Sequence, residues 1–306
     1  MNDMTEQVEE KITATRRGKF ELTFPVRLVS DVKKSQEWFR KVLKCDDISG
    51  WGHAAREGMG LILLQAASAE DIRPNAVPKK RADYPTECEG PDYGWDSLIY
   101  VEWDNLDYII EEARSNGGNI AVEPFEYSHG GHSYKKAHIS DLDGYNLVLS
   151  ARRLQTDELI MHDPEFHIKK TFQVRLVSDL KKSLEWYSNV LGCDEVNNWG
   201  YARRGDMEVI LQQAASPQDV RPNAQSSKIF GIPNTWEGPD EPWDTFVHTP
   251  WEDVALIVDE IRAKGGMIGM EPTESSEDGW DFVNAQILDP DGYSIVVGGM
   301  RRSSNS

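Results

Sequence analysis

The residue types able to make or break bonds are few in this chain, and their spacing is loose. "HGGHSYKKAH" places His129, His132 and His138 within one short segment, and His248 lies far along the chain. Such imidazoles would ligate zinc if they converged and gained carboxylate support; otherwise they are incidental residues of a glycine-rich loop. Cys45, Cys88 and Cys193 form neither a disulfide framework nor a CxxC pair. No nucleophile–base spacing stands out, so no catalytic residue is assigned. Tryptophan is the more informative type. Trp51 and Trp199 occupy "GWG" and "NWG", while Trp95 and Trp243 precede Asp96 and Asp244 in "GWD" and "PWD". An aromatic face beside a carboxylate holds a flat or cationic organic molecule, stacking and cation–π contacts being worth about 0.5–2 kcal/mol each. A structural corner, with the Asp capping backbone amides, uses the same pattern.

These pairs belong to a repeat. "FPVRLVSDVKKSQEWF" (24–39) returns as "FQVRLVSDLKKSLEWY" (172–187), "QAASAEDIRPNA" (65–76) as "QAASPQDVRPNA" (213–224), and "DLDGY" (141–145) as "DPDGY" (289–293). Each pair is offset by 148 residues (24 to 172, 141 to 289). The period is too long for a solenoid and marks a duplicated domain. The organisation is a polar tail (1–19), a first domain (20–154), a linker (155–167), a second domain (168–302) and a short tail (303–306). In each half, alternating Phe24, Val26 and Leu28 predict a strand, and Asp31 or Asp179 caps the helix that follows. Strands near "GWGHAARE" and "GLILLQAA", a Pro/Gly-rich crossover, the strand "DSLIYVEW" and a helix ending at Gly117 come next. The strands "KKAHIS" and "YNLVLSA" close the half around Asp143-Gly144, a hairpin turn signal. The fold class is α+β, with four βαβββ modules forming two curved-sheet cups. Arg56 and Arg204 are strand residues that face the cups or solvent.

With 306 residues, 39% apolar and 28% charged, the composition is globular. A net charge of −19 excludes nucleic acid as a partner, because a phosphate backbone would be repelled. It suits a cationic ligand, or simply keeps the chain soluble. No apolar stretch approaches the ~20 residues that span a bilayer, and the polar start is unlike a secretory signal. The expected location is the cytoplasm.

"VSDLKKSLEWYSNVLGCDE" and "DPDGYSIVV" resemble the vicinal oxygen chelate superfamily of glyoxalases, bleomycin-resistance proteins and extradiol dioxygenases. The resemblance implies paired modules around a cup that, in metal-using members, holds His, Gln or Glu ligands. Those positions fall on Phe24 and Phe172, Val148 and Val296, near Leu98 and Phe246, and near Leu63 and Leu211 with Gln65 and Gln213 close by. Apolar side chains cannot ligate a divalent cation. Arg27 and Arg175, where the family has an apolar residue, raise the prospect of a one-residue slip that turns Gln173 inward. The resemblance also implies that Trp280, whose counterpart is His132, closes over ligand. The expectation is therefore a monomer acting as a fused pseudo-dimer that sequesters an aromatic, cationic small molecule without a cofactor, in the manner of resistance proteins. Its expected contacts are Trp51, Trp199, Trp95, Trp243, Asp96, Asp244, Trp280, His132, Arg56 and Arg204. The alternative is a glyoxalase- or dioxygenase-like lyase, isomerase or oxygenase. It would use a metal relocated to His129, His132, His138 or His248, or a metal-free acid/base site.

Overall fold

The computed structural model describes residues 16–80, 93–155, 168–227 and 239–303; Cys88 and the linker beyond residue 155 lie outside them. The first half contains β1 (Thr23–Val29), α1 (Val32–Val42), β2 (Asp47–Ile48), β3 (His53–Arg56) and β4 (Met59–Gln65). A second module follows as β5 (Ser97–Val101), α2 (Asn105–Ser115), β6 (Asn119–His129), β7 (His132–Ser140) and β8 (Asn146–Leu154). The second half repeats the order with β9 (Ile168–Val177), α3 (Leu180–Asn189), β10 (Glu195–Val196), β11 (Tyr201–Arg204) and β12 (Met207–Gln213). Its last module is β13 (Thr245–His248), α4 (Asp253–Ala263), β14 (Met267–Glu277), β15 (Trp280–Leu288) and β16 (Ser294–Arg302). The predicted caps form: Asp31 accepts from the Lys34 amide at 3.0 Å and Asp179 from the Lys182 amide at 3.1 Å. The "HGGH" segment, expected as a loop, is instead the tip of the β6–β7 hairpin. Gly130 and Gly131 turn it at φ 58° and 78°, a region open to glycine at little cost.

The strands form two eight-stranded sheets, ordered β14-β15-β16-β13-β1-β4-β3-β2 and β10-β11-β12-β9-β5-β8-β7-β6. Each sheet takes one module from each half. β1 pairs antiparallel with β13, and β5 antiparallel with β9. The helix-side cores divide differently. One core joins Phe39, Leu61 and Leu63 of the first module to Ile110, Ile139 and Leu149 of the second. The other does the same in the second half, with Tyr187, Leu211, Ile257 and Val297. Residues 20–154 and 168–302 are thus packing units, and the sheets are built across them. Two apolar plugs cross over as well. Phe20 enters the core of the second half, and Ile168, its repeat equivalent, enters the core of the first. The expected polar tail therefore ends early: from Arg16 the chain is tied to the second half, with the Lys19 amide donating to Asp253 at 2.9 Å.

No register slip occurs at Arg27 or Arg175. β1 runs beside β4 with Val26 opposite Ile62 and Val29 opposite Gln65, and β9 beside β12 with Val174 opposite Ile210 and Val177 opposite Gln213. The irregularity of β9 lies earlier, between Ile168 and Lys170 where it pairs with β5. The reason for the arginines is a set of buried links within each half. Arg175 Nη1 donates to Tyr187 Oη at 2.6 Å and to Asp289 at 3.1 Å, and Nη2 donates to the Ser294 carbonyl at 3.2 Å. Arg27 likewise reaches Asp141 at 3.4 Å and Ser97 at 2.7 Å. Tyr145 and Tyr293 stand over these guanidiniums and donate to the Leu28 and Leu176 carbonyls, both at 2.9 Å. Gln173 does not turn inward; its amide donates to the Asp244 carbonyl at 2.9 Å.

No helix among the described residues is long and apolar enough to cross a membrane. Cys45 and Cys193 are structural: burial pushes both thiols up to about 12.

Two outcomes follow from this architecture. An isolated half retains its own helix-side core but leaves β1 and β5 as unpaired edges, so it should assemble as a homodimer, read by light scattering, while the full chain stays monomeric. Arg175→Ala strands the Asp289 carboxylate in the interior, and denaturant unfolding should show a loss of about 3–5 kcal/mol.

Candidate functional site

Strand alternation sends every second side chain to the concave face of each sheet. In the first cup, one row crosses four strands: Gln286 opposite Val296, Val296 opposite Phe246, and Phe246 opposite Phe24. In the second cup the row reads His138, Val148, Leu98 and Phe172. Continuing each row by its strand register reaches Gly60 in the first cup and Glu208 in the second. Leu63 and Leu211, expected near the ligand positions, face the helices instead. Ile62 and Leu64, and Ile210 on β12, take the cup side. Gln65 and Gln213 accept from the Val32 and Leu180 amides and so serve the helix starts.

The two floors differ in one decisive respect. In the first cup, the rings of Phe24 and Phe246 lie over glycines. A Cβ on Gly60 would come within 2.7 Å of Phe24, and one on Gly298 within 2.5 Å of Phe246. Trp243 stacks on Phe246 with centroids 5.4 Å apart and planes 18° from parallel. The result is a continuous aromatic platform above Val26, Ile62, Leu64 and Val296. In the second cup Leu98 replaces Phe246 and leaves room for Ser150 where the first has Gly298. Lys136 replaces Asn284 there, its ammonium 4.3 Å from the Trp95 ring and 5.1 Å from Tyr127. Glu208 is buried and engages Lys170 and the Tyr201 hydroxyl. His138 is buried edge-on to Trp95, and burial, reinforced by Lys136, lowers its pKa to about 4.

The expected contacts are only partly brought together. Trp51, at the first cup, stacks on His53 at 5.3 Å, and Trp199 packs against the floor of the second. Asp96 and Asp244 are buried backbone clamps. Asp96 accepts from the amides of Asn75 and Asn146, both at 2.7 Å, and Asp244 from those of Asn223 at 2.7 Å and Ser294 at 2.8 Å. They tie each crossover to a final strand. Arg56 and Arg204 require correction, since both point away from the cups. Arg56 binds the Leu43 carbonyl at 2.9 Å and Glu112 at 2.8 Å, and Arg204 binds the Leu191 carbonyl and Glu260, each at 2.6 Å. His132 and Trp280 begin β7 and β15 opposite Leu154 and Arg302, the last residues of the final strands, far from the floors. Trp280 carries the Arg302 guanidinium on its ring at 4.2 Å.

The proposed relocated metal ligands do not converge. His129 and His132 face each other across the hairpin turn, while His138 is six residues along β7, about 20 Å away at ~3.3 Å per residue. His248 belongs to the other sheet and lies 3.2 Å from Glu21. The family-type positions do not fit a metal either. The central three residues of each row, Val296, Phe246 and Phe24 or Val148, Leu98 and Phe172, offer only hydrocarbon, where a divalent ion needs converging oxygen or nitrogen donors. In the second cup, Glu208 and His138 stand at opposite ends of the row, with three strands between theirs.

Comparison with known proteins agrees with this architecture. Residues 167–297 match the glyoxalase/bleomycin resistance protein/dioxygenase superfamily. Glyoxalase I from Zea mays superposes with a TM-score of 0.52 at 16% identity, covering 91% of this chain and 92% of that one. A Bacillus subtilis protein provisionally described as a dioxygenase gives 0.53 at 11% identity, covering 93% and 86%. The fold is that of the vicinal oxygen chelate superfamily. No curated protein sequence matches the chain. Within this fold the modules pair across the halves, and the central three residues of each row are apolar.

Sequence reasoning missed Lys136, Glu208 and the glycines Gly60 and Gly298. Each departs from its repeat partner (Asn284, Gly60, Glu208 and Ser150), and that mismatch was the available signal.

The clamps carry a pH signature. Burial raises Asp96 and Asp244 to about 6, against the backbone amides and nearby arginines that favour the charged form. Unfolded carboxyls release their protons near 4, so between about pH 4 and 6 the folded state binds more protons and these sites lose stability as pH rises. Removing both carboxyls in Asp96→Asn/Asp244→Asn should flatten that part of the stability profile, measured as denaturant midpoints at about pH 4.5 and 6.5.

Proposed function

We propose that the protein binds an aromatic, cationic small molecule in its first cup, without a metal or other cofactor, and thereby sequesters it. The observation that carries this reading is the platform of Phe24, Phe246 and Trp243 over Gly60 and Gly298. Such a floor offers area for stacking, and a preformed apolar cleft with a few polar anchors is how small ligands are commonly held. Phe24, Trp51, Phe246 and Asn284 are half-buried, so the floor opens to solvent through aromatic and amide groups. The net charge of −19 favours approach of a cation. A cation on this platform gains contact with the negative ring faces.

The second cup does not support the same ligand equally. Its own ammonium, Lys136, already lies over Trp95, so an incoming cation meets like charge. The sequence repeat therefore supports one site of this kind, and the apolar metal positions support a binder over a metal-dependent lyase or oxygenase. A resistance role and a cytoplasmic setting belong to the same proposal.

Tryptophan fluorescence titrated with a panel of basic aromatic compounds tests the reading; saturable quenching is expected, and no response across the panel would refute it. Asn284→Lys gives the first cup the ammonium of the second and should weaken a cationic aromatic about tenfold. Lys136→Ala, in the other cup, should leave that affinity within about twofold.

A further inference from the structure

The wall of the first cup holds one buried polar atom without a partner. His53 lies on the cup side of β3, since Ala54 and Arg56 on either side of the alternation point to the helices. It is only 7% exposed. Its ring stacks on Trp51 with planes 3° from parallel and meets Phe24 edge-on at 5.0 Å. Nδ1 faces the Asp47 carboxylate at 3.4 Å. Nε2 has no hydrogen-bond partner among the described residues and points over Gly60, where a Cβ would lie 3.8 Å from it. A carboxylate on Nδ1 keeps the proton on that nitrogen, leaving a lone pair on Nε2. A buried acceptor left unmet is costly, and buried polar groups are ordinarily satisfied.

We infer that His53 Nε2 is the polar anchor of the first cup, accepting a hydrogen bond from an N–H or O–H donor on the bound aromatic. The best-matched class is a protonated aromatic amine, whose ring rests on the platform while its N–H meets the imidazole. This rests on the reading of the first cup as an aromatic-binding site and adds the group that orients the ligand. At the matching position of the second cup Tyr201 replaces His53 and its hydroxyl is engaged by Glu208. The imidazole nitrogen there without a partner among the described residues is Nδ1 of His138, at the far end of the floor and beside the Lys136 ammonium, which opposes a cationic donor.

The anchor works only while the imidazole is neutral. Burial lowers the His53 pKa and Asp47 partly opposes it. Asp47 is the one charged group among the described residues that acts on this ring. The other neighbours, Phe24 of β1, Gly60 of β4 and Gln36 of α1, do not titrate. Affinity for a donor-bearing aromatic therefore falls as acid protonates Nε2.

The test is calorimetric titration of the full chain with two flat cations: 9-aminoacridine, which carries N–H donors, and 10-methylacridinium, which carries none. Wild type should prefer 9-aminoacridine about tenfold, the effect of one hydrogen bond to a charged donor. His53→Phe, which keeps an aromatic ring against Trp51, should abolish that preference. Asp47→Asn, at an exposed position, should reduce it to about threefold. An undiminished preference in His53→Phe overturns the anchor while leaving aromatic binding intact; failure of both probes to bind wild type overturns the first-cup reading and the anchor with it. Imidazole nitrogen NMR of the free protein gives an independent answer. A neutral ring protonated on Nδ1 supports the anchor, and a ring protonated on Nε2 overturns it whatever the probes do.

Discussion

The pairing of β1 with β13 and of β5 with β9 is the constraint on which the rest of the structure depends. Apart from one plug residue received from the other half, a single half buries its helix-side apolar surface within itself, yet its two first strands are left as edges. Unpaired backbone groups along an edge must find partners or remain solvated. The duplicated chain meets that requirement internally, each half supplying one strand to each central seam. Both cup floors are consequently joints between halves: Phe24 comes from one copy and Phe246 from the other.

Arg27 and Arg175 link the two modules of each half through buried carboxylates, with Tyr145 and Tyr293 closing over them. Such links are conditional on completeness, since a buried charge is tolerable only when every partner is present. Asp96 and Asp244 act in the same spirit, joining the crossover at Asn75 or Asn223 to a final strand through two backbone amides apiece. The rigid frame leaves the cup faces chemically unconstrained, and there the two copies have moved apart. One floor is aromatic and uncharged, with rings seated over glycine. The other carries Lys136, His138 and Glu208 around a smaller hydrocarbon centre. Divergence of this kind follows from duplication within one chain: either cup can change while the seams and clamps, shared by both, hold the fold.

Much of this was legible in the sequence, and the reasons are local. The repeat offset, the Asp31 and Asp179 caps, the helix faces of Leu106, Ile109 and Ile110, and the glycine stops depend on neighbours a few residues away. The apolar occupation of Phe24, Val148, Phe172 and Val296 needed only position within the repeat. Cys45, too, reads correctly as a small buried residue, and its counterpart Cys193 is partly buried.

What the sequence could not decide was where side chains meet across distance. Arg56 and Arg204 look like any strand arginine until the helix carrying Glu112 or Glu260 is laid against them. Asp96 is equally consistent with a ligand contact and a clamp until Asn75 and Asn146 are brought to its two oxygens. The histidines of "HGGHSYKKAH" are close in number but strung along an extended hairpin, which separates what a loop would have gathered. The sequence by itself determined four modules, their caps and the apolar side chains at Phe24, Val148, Phe172 and Val296, because periodicity and residue type are properties of the chain. Only the tertiary structure decided which modules share a cup, and hence that Phe24, Phe246 and Trp243 form one surface, because strand pairing between residues more than two hundred positions apart is settled by packing and leaves no local mark.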